Sequence, residues 1–134
     1  EEDSENRVFQ MSKRMRKLEA IVKNKDVQGP KWYGPAKAKK TLICWGSTKI
    51  TCVEAIRHLP SVNVLHFNYI YPFDLEQVIA ELKKITYSIS VECNYEGVFA
   101  SYLYEQTGYA VDKKFLKYDG RPFFIEELIQ NVSK

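Results

Sequence analysis

The first forty residues carry one clear amphipathic pattern. Between residues 6 and 23 the apolar positions recur at steps of three and four, which predicts a helix with a single apolar stripe. The acidic run EEDSE lies before or in its first turn, where the helix dipole favours negative charge. We expect the stripe to pack on another domain or subunit; it comprises Val8, Met11, Met15, Leu18 and Val22.

Residues 24–40 predict a linker. Two Gly-Pro pairs, at 29–30 and 34–35, interrupt any regular element. Trp32 and Tyr33 lie between the pairs, and adjacent aromatic residues in a loop usually hold that loop to a surface. The chain therefore divides into a helix and linker over 1–40 and a domain over 41–134.

From residue 41 onward, short apolar runs alternate with helical periodicity. This alternation predicts a mainly parallel sheet with right-handed crossovers and helices on both faces. The predicted fold is a three-layer α/β/α domain with four to five strands. Strands are expected over 41–45, 62–70, 86–92 and 110–116, and helices over 48–59, 74–82, 95–107 and 123–132.

Apolar periodicity also predicts which side of each helix faces the sheet. Asp74 with Gln77 three residues later matches a capping box, and Gly108 is the expected C-cap of the helix over 95–107. The predicted inward positions are Ile50, Val53, Ile56 and Leu59 in one helix, Leu75, Val78, Ile79 and Leu82 in the next, and Val98, Phe99, Tyr102 and Leu103 in the third.

Ligands of parallel sheets bind beyond the carboxyl ends of the strands. The candidate residues there, for an active-site edge or an interface, are Gly46, Ser47, Thr48, Pro72, Phe73, Glu92, Asn94 and Gly97. The turn at Gly46-Ser47 could offer free N–H groups to an anion or phosphate, or Ser47 could simply cap the next helix.

Glu92 and Asn94 are the polar side chains at the end of the third predicted strand. Glu92 could act as a base or as an acceptor across an interface. In the alternative, which we favour, Asn94 caps the following helix and Glu92 pairs with neighbouring backbone or a basic side chain.

Composition removes several classes of function. The chain has 134 residues, 45% of them apolar and 28% charged, which suits one soluble domain with a substantial core. No run of 18 or more apolar residues exists, so no membrane span is predicted. The net charge is +5 over residues 1–40 and −2 over 41–134. A solvated helix face explains this excess better than a nucleic-acid patch does, so a nucleic-acid partner is the less favoured interpretation.

Neither the cysteines nor the histidines predict a metal or catalytic centre. Cys44, Cys52 and Cys93 show no CxxC spacing, which argues against a disulfide framework, a zinc ribbon and a local iron–sulfur cluster. A reducing, cytoplasmic setting fits them best. His58 and His66 have no acidic or thiol residue at metal-ligand spacing, and no Ser-His-Asp or Cys-His set is evident.

Several short motifs nevertheless occur in a fixed order. Together they resemble the C-terminal part of the alpha subunit of 2-oxoacid:ferredoxin oxidoreductases, and the resemblance spans nearly the whole chain. The motifs are R-x-x-x-M-x-K-R-x-x-K-L-E at 7–19, Y-G at 33–34, W-G-S-T at 45–48 with E-A at 54–55, L-H-F-x-x-x-x-P-F at 65–73, V-E-x-N-x-x-G at 91–97 and Y-x-G-x-P-F at 118–123.

The resemblance implies a transketolase C-terminal-like fold and one domain of a larger subunit. Enzymes of this family oxidatively decarboxylate a 2-oxoacid such as pyruvate or 2-oxoglutarate, form an acyl-coenzyme A and reduce ferredoxin. They use thiamine diphosphate, magnesium and iron–sulfur clusters, held mainly by other domains and the beta subunit. The resemblance thus implies that this domain binds no cofactor alone, contributes no catalytic residue, and assembles with the other alpha-subunit domains and the beta subunit.

Two positions depart from the family pattern. Lys49 stands where Gly often follows W-G-S-T, and Val98 stands where Gln often follows the last motif glycine at 97. Both favour a structural role for this edge over ligand contact. Two other functions stay open: a free-standing flavodoxin-like module for a small molecule or nucleotide, and a nucleic-acid binder that uses the basic helix.

Overall fold

The computed structural model describes residues 3–24 and 29–134. It confirms the α/β fold: a five-stranded, mainly parallel sheet in the order β1-β3-β2-β4-β5 has helices on both faces. The elements are α1 (Ser4–Lys23), β1 (Lys31–Tyr33), β2 (Lys40–Trp45), α2 (Thr48–Ala55, continued by a 3₁₀ turn Ile56–His58), β3 (Val62–Phe67), α3 (Leu75–Leu82), β4 (Ser88–Glu92), α4 (Val98–Thr107), β5 (Lys113–Leu116) and α5 (Ile125–Ser133).

The predicted linker contains a strand. β1 pairs antiparallel with β3, from Lys31 opposite His66 to Tyr33 opposite Val64. The Gly-Pro pairs lie on either side of this strand rather than within it, so the three residues between them can adopt the extended conformation of a strand. Trp32 fixes the strand to α3, because its indole N–H donates to Glu81 Oε2 at 2.6 Å. Residues 25–28 of the predicted linker lie outside the described residues.

Alternate residues of the central strands fill two separate cores. On one face Leu42, Val64 and Val91 pack with α2 and α5, and on the other face Ile43 and Leu65 pack with α3 and α4. Adjacent residues of β2 therefore belong to opposite cores, as the period of two in a strand requires. All six residues of β3 are buried, as expected for a strand covered on both faces.

Three residues predicted to face inward are exposed instead. Ile50 is 79% exposed, and Leu75 and Val98 are also solvent-accessible. All three lie in the first turn of a helix that begins at the carboxyl edge of the sheet, beyond the ends of the strands it covers. The prediction is wrong there because periodicity ignores where the sheet ends. α2 buries Thr48, Cys52 and Ala55 instead.

Two isoleucines of the same helical segment test this correction. Ile56→Ala is expected to lower the free energy of unfolding by about 2 kcal/mol, because Ile56 is buried in the core under α2. Ile50→Ala should change it by less than about 0.5 kcal/mol. Urea denaturation of the two variants measures both values, and equal losses would contradict the assigned helix face.

Asp3 caps helix α1, because its carboxylate accepts the backbone N–H groups of Glu5 and Asn6 at 3.1 and 3.3 Å. None of its residues is buried, and Val8, Met11 and Met15 are exposed. The packing partner expected for this stripe stays a prediction. Among the described residues, no helix is both long enough and apolar enough to cross a membrane.

Candidate functional site at the carboxyl edge

The parallel strands β3, β2 and β4 are neighbours, so the loops that follow them meet at one edge of the sheet. This carboxyl edge collects the predicted site residues from three loops: 46–48 after β2, 72–73 after β3 and 92–97 after β4. The geometry of each loop shows what its side chains are free to do.

Glu92 is fully buried at the end of β4, and its carboxylate is completely occupied. Oε1 accepts the Ser90 hydroxyl at 2.8 Å and the backbone N–H of Ala100 at 2.9 Å. Oε2 accepts the Asn94 side-chain amide and the backbone N–H of Phe99, both at 2.8 Å. An ionised carboxylate has about four acceptor positions. Glu92 therefore caps the first turn of α4 from beneath, with no acceptor position left over.

Asn94 completes the same cap from the outside. Its Oδ1 accepts the backbone N–H groups of Gly97 and Val98 at 2.7 and 3.1 Å. Gly97 takes the left-handed conformation, with φ of 70°, which a side chain would strain. A Cβ at this position would also come within 2.8 Å of the Lys114 side chain. The V-E-x-N-x-x-G segment thus forms the N-terminal cap of α4.

The W-G-S-T turn differs from its predicted form at Ser47. Ser47 makes no side-chain capping bond, because its backbone is already helical, with φ of −70° and ψ of −19°. The prediction of a Ser47 cap is therefore wrong. Thr48 ties the turn together instead, since its hydroxyl donates to the Trp45 carbonyl at 2.8 Å. Gly46 allows the turn with φ of 57° and is exposed.

The loop after β3 rests on an aromatic cluster. Phe73 lies 5.9 Å from Phe67 and 5.3 Å from Tyr102, measured between ring centroids. Phe67 also lies 5.0 Å from Phe99 in an edge-on arrangement. Pro72, preceded by a cis peptide bond, is half-buried. Pro72 and Phe73 thus connect the carboxyl edge to the core between the sheet and the α3–α4 layer.

Exposed aromatic rings cover much of this edge. They come from the loops after β3, β4 and β5, and the rings of Tyr95 and Tyr118 meet edge-on at 4.8 Å. We call the exposed group the aromatic edge: Tyr69, Tyr71, Tyr95, Tyr118 and Phe124.

Sequence reasoning missed the ion pair between Lys117 and Glu127 at this edge. The Lys117 ammonium, buried at the end of β5, donates to both carboxylate oxygens of Glu127 in α5. Glu127 Oε2 also accepts the backbone N–H of Phe124 at 2.9 Å. The hydrogen bond from Lys117 holds the pKa of Glu127 below its usual range. The spacing of ten residues across a strand and a helix gives no local signal for such a pair.

His66 is buried beneath the W-G-S-T turn, and neither ring nitrogen has a hydrogen-bond partner. Burial lowers the pKa of the imidazole, and the nearby Lys49 ammonium lowers it further. The nearby backbone of Gly46 partly opposes this shift of the pKa. His66 is therefore neutral at pH 7 and acts as part of the core.

Acidification should lower the free energy of unfolding, because the buried imidazole of His66 resists protonation. Its folded-state pKa lies below the ordinary value of 6.5, so the unfolded chain binds the proton first and stability falls as the pH drops below about 6.5. His66→Phe should flatten the decline between about pH 6.5 and 5, because the phenyl ring takes up no proton. His58→Phe, at an exposed position, is the control. An unchanged slope in His66→Phe, followed by urea denaturation across this range, would contradict the assignment.

The edge does not fit a metal-bound diphosphate or an iron–sulfur cluster. Within residues 3–24 and 29–134, no group of three or more His, Cys, Asp or Glu residues could hold a metal ion. The carboxylates of Glu92 and Glu127 already accept internal donors, and Asp119 pairs with Arg121 at 2.7 Å. A cation bound to Glu92 or Glu127 would displace the backbone N–H groups that start α4 and α5.

Comparison with known proteins decides the family. No protein-family model matches the chain. The alpha subunit of 2-oxoacid:ferredoxin oxidoreductase 1 from Aeropyrum pernix is 31% identical over 98% of this chain, and that of the Saccharolobus solfataricus enzyme is 28% identical over 98%. The chain belongs to the 2-oxoacid:ferredoxin oxidoreductase alpha-subunit family. It spans 22% of the length of these two relatives.

Two solved structures share the fold of this chain. A 2-oxoglutarate:ferredoxin oxidoreductase from Magnetococcus marinus, with 2-oxoglutarate, coenzyme A and succinyl-CoA bound, superposes on 99% of the chain with a TM-score of 0.83 and 20% identity. That match covers 24% of the Magnetococcus chain and supports the fold. The alpha chain of a probable 2-oxoacid ferredoxin oxidoreductase from Thermoplasma acidophilum matches 78% of this chain and 94% of its own, with 29% identity and a TM-score of 0.54.

Proposed function

We propose that this chain is the C-terminal, non-catalytic assembly domain of the alpha subunit of a thiamine-diphosphate-dependent 2-oxoacid:ferredoxin oxidoreductase. The whole enzyme would convert a 2-oxoacid, coenzyme A and oxidised ferredoxin into acyl-coenzyme A, carbon dioxide and reduced ferredoxin. The three free cysteines support a reducing, cytoplasmic setting.

The occupied carboxylate of Glu92 carries the non-catalytic part of this proposal. A general base needs a lone pair that reaches the substrate proton, and a general acid needs a proton to give. Glu92 is buried, and its two oxygens already accept four donors from the chain itself. Thiamine diphosphate, magnesium and the iron–sulfur cluster would therefore be held by other domains and the beta subunit, where ferredoxin and the 2-oxoacid would also bind.

The surfaces that remain unburied support the assembly role. The aromatic edge carries large rings with polar tips, the residue types enriched at protein interfaces. Ile50, Leu75 and Val98 add exposed apolar side chains at the same edge. The stripe of α1 is a second uncovered apolar surface. Other domains of the alpha subunit, together with the beta subunit, would cover both.

A charge placed on the aromatic edge tests this role in the assembled oxidoreductase. Tyr95→Asp should weaken association of the alpha and beta subunits by about tenfold or more, since a buried, unpaired carboxylate is costly. Tyr87→Asp, on the strand-start side of β4, is the matched control and should leave association unchanged. Sedimentation of the purified subunits measures both.

Two results would contradict the proposal. One is unchanged subunit association in both Tyr95→Asp and a second variant, Tyr118→Asp, which places the charge on the neighbouring ring position. The other is decarboxylation of a 2-oxoacid, or saturable binding of thiamine diphosphate with Mg²⁺, by the 134-residue chain alone.

A further inference from the structure

A cavity lies at the opposite end of the sheet, where the parallel strands begin. Its volume is about 630 Å³, within the usual range of small-molecule sites of about 300–1,000 Å³. The loop 34–38 closes one side. We call this space the amino-edge cavity. The lining residues used below are Trp32, Lys37, Thr41, Asn63, Lys84 and Thr86.

Hydrogen bonds hold the walls of this cavity in place. The Thr41 hydroxyl donates to Asn63 Oδ1 at 2.7 Å, and the Asn63 amide donates to the Pro35 carbonyl at 3.1 Å. These two hydrogen bonds hold the 34–38 loop against the starts of β2 and β3. Trp32 is fixed by its bond to Glu81, described above. A site whose walls are already fixed loses little conformational freedom when a ligand binds.

Two lysines at the cavity have N–H donors without a partner among the described residues. Lys37 has no hydrogen bond or ion pair to any of the described residues, and it lines the cavity. Lys84 donates to Glu81 Oε2 at 2.6 Å, but its ammonium has three N–H donors and its side chain is 60% exposed. The same Glu81 oxygen also accepts the Trp32 N–H. Lys37 is therefore left without an anionic partner among the described residues, and an anionic ligand would supply one.

An aromatic wall beside two ammonium groups defines the chemistry of the ligand. We propose that the amino-edge cavity binds a mononucleotide, with its flat base against Trp32 and its phosphate between Lys37 and Lys84. Indole rings stack on any base, and lysines hold phosphate as point charges. The site lies at the end of the sheet remote from the aromatic edge, so its test is separate from the test of that edge.

Tryptophan fluorescence can report on this site alone. The chain has two tryptophans, and Trp45→Phe leaves Trp32 as the only one. Adenosine 5′-monophosphate added to this variant at low salt is expected to quench the emission saturably. Lys37→Ala and Lys84→Ala, each in the same background, should weaken binding by about fivefold to tenfold. Lys49→Ala, at the opposite edge of the sheet, should leave the affinity unchanged.

The outcomes separate the proposal from weaker alternatives. Adenosine without phosphate should bind at least about tenfold less tightly, and added salt should weaken AMP binding through screening. Absence of saturable quenching by millimolar AMP, with a native circular dichroism spectrum, would overturn the proposal. Equal affinity for inorganic phosphate, read by its competition with AMP, would overturn the mononucleotide class. Unchanged binding in both lysine variants would overturn the assigned site, and none of these results bears on subunit association.

Discussion

Glu92→Ala is expected to lower the free energy of unfolding by about 4 kcal/mol, the largest effect of any single polar substitution proposed for this chain. The change strands two buried backbone N–H groups, those of Phe99 and Ala100, and removes the acceptor for Ser90 and Asn94. It also removes a negative charge from the N-terminus of α4, where the helix dipole favours one. Urea denaturation at pH 7, with circular dichroism as the probe, measures the loss.

Two companion variants define what the result means. Glu96→Ala removes an exposed carboxylate from the same loop and should cost less than about 0.5 kcal/mol. Glu92→Gln keeps the shape but replaces one acceptor with a donor that faces two other donors, and it should still cost about 2 kcal/mol. If Glu92→Ala proves as harmless as Glu96→Ala, the carboxylate is not the cap of α4.

Phe67→Ala is expected to lower the free energy of unfolding by about 4 kcal/mol. Phe67 is 1% exposed and lies at the centre of the aromatic cluster, against Phe73 and Phe99. Its removal leaves a cavity that rings anchored on separate elements cannot close, and it loses the favourable edge-on contact with Phe99. Thermal and urea denaturation should agree on the loss.

The position of the cluster gives this second prediction a specific signature. The loop around Pro72 is held by Phe73, which packs on Phe67. In Phe67→Ala, amide hydrogen exchange in this loop should therefore speed up by more than the global loss of stability explains. Phe67→Leu, which keeps most of the volume, should cost about 1.5 kcal/mol or less. Tyr69→Ala, exposed in the same loop, is the control. A loss near zero in Phe67→Ala would contradict the packing described here.

Strand and helix order followed from the sequence because each local signal agreed with its neighbours. Gly108 ends α4 in the left-handed conformation, and Asp74 caps α3 by accepting the Gln77 backbone N–H at 3.1 Å, both as predicted. Among the described residues, no return bond from the Gln77 side chain completes the predicted capping box. Motif order also led to the correct family. β1 escaped prediction because its three residues carry no period of their own, and antiparallel pairing with β3 depends on contacts across the fold.

Side-chain roles at the carboxyl edge were predictable only in part. The favoured interpretation of Glu92 and Asn94 as local hydrogen-bond partners agrees with the bonds observed, since a strand end followed by a helix start creates unpaired N–H groups nearby. Ser47 has the residue type of a cap, yet the backbone at that position is helical. The pair of Lys117 and Glu127 depends on how α5 meets β5, which no spacing in the sequence encodes.

Activity of the assembled oxidoreductase with Glu92→Gln tests the central claim most directly. The thermal midpoint of the alpha subunit would be measured first. The kcat per assembled enzyme would then be measured well below that midpoint, with a 2-oxoacid, coenzyme A and oxidised ferredoxin as substrates. If Glu92 is a structural cap, the midpoint falls by several degrees while kcat per assembled enzyme stays within about twofold of the unmodified enzyme. A fall in kcat of about a hundredfold or more, in enzyme that remains folded and assembled, would identify Glu92 as a catalytic residue and contradict the proposed role of this domain.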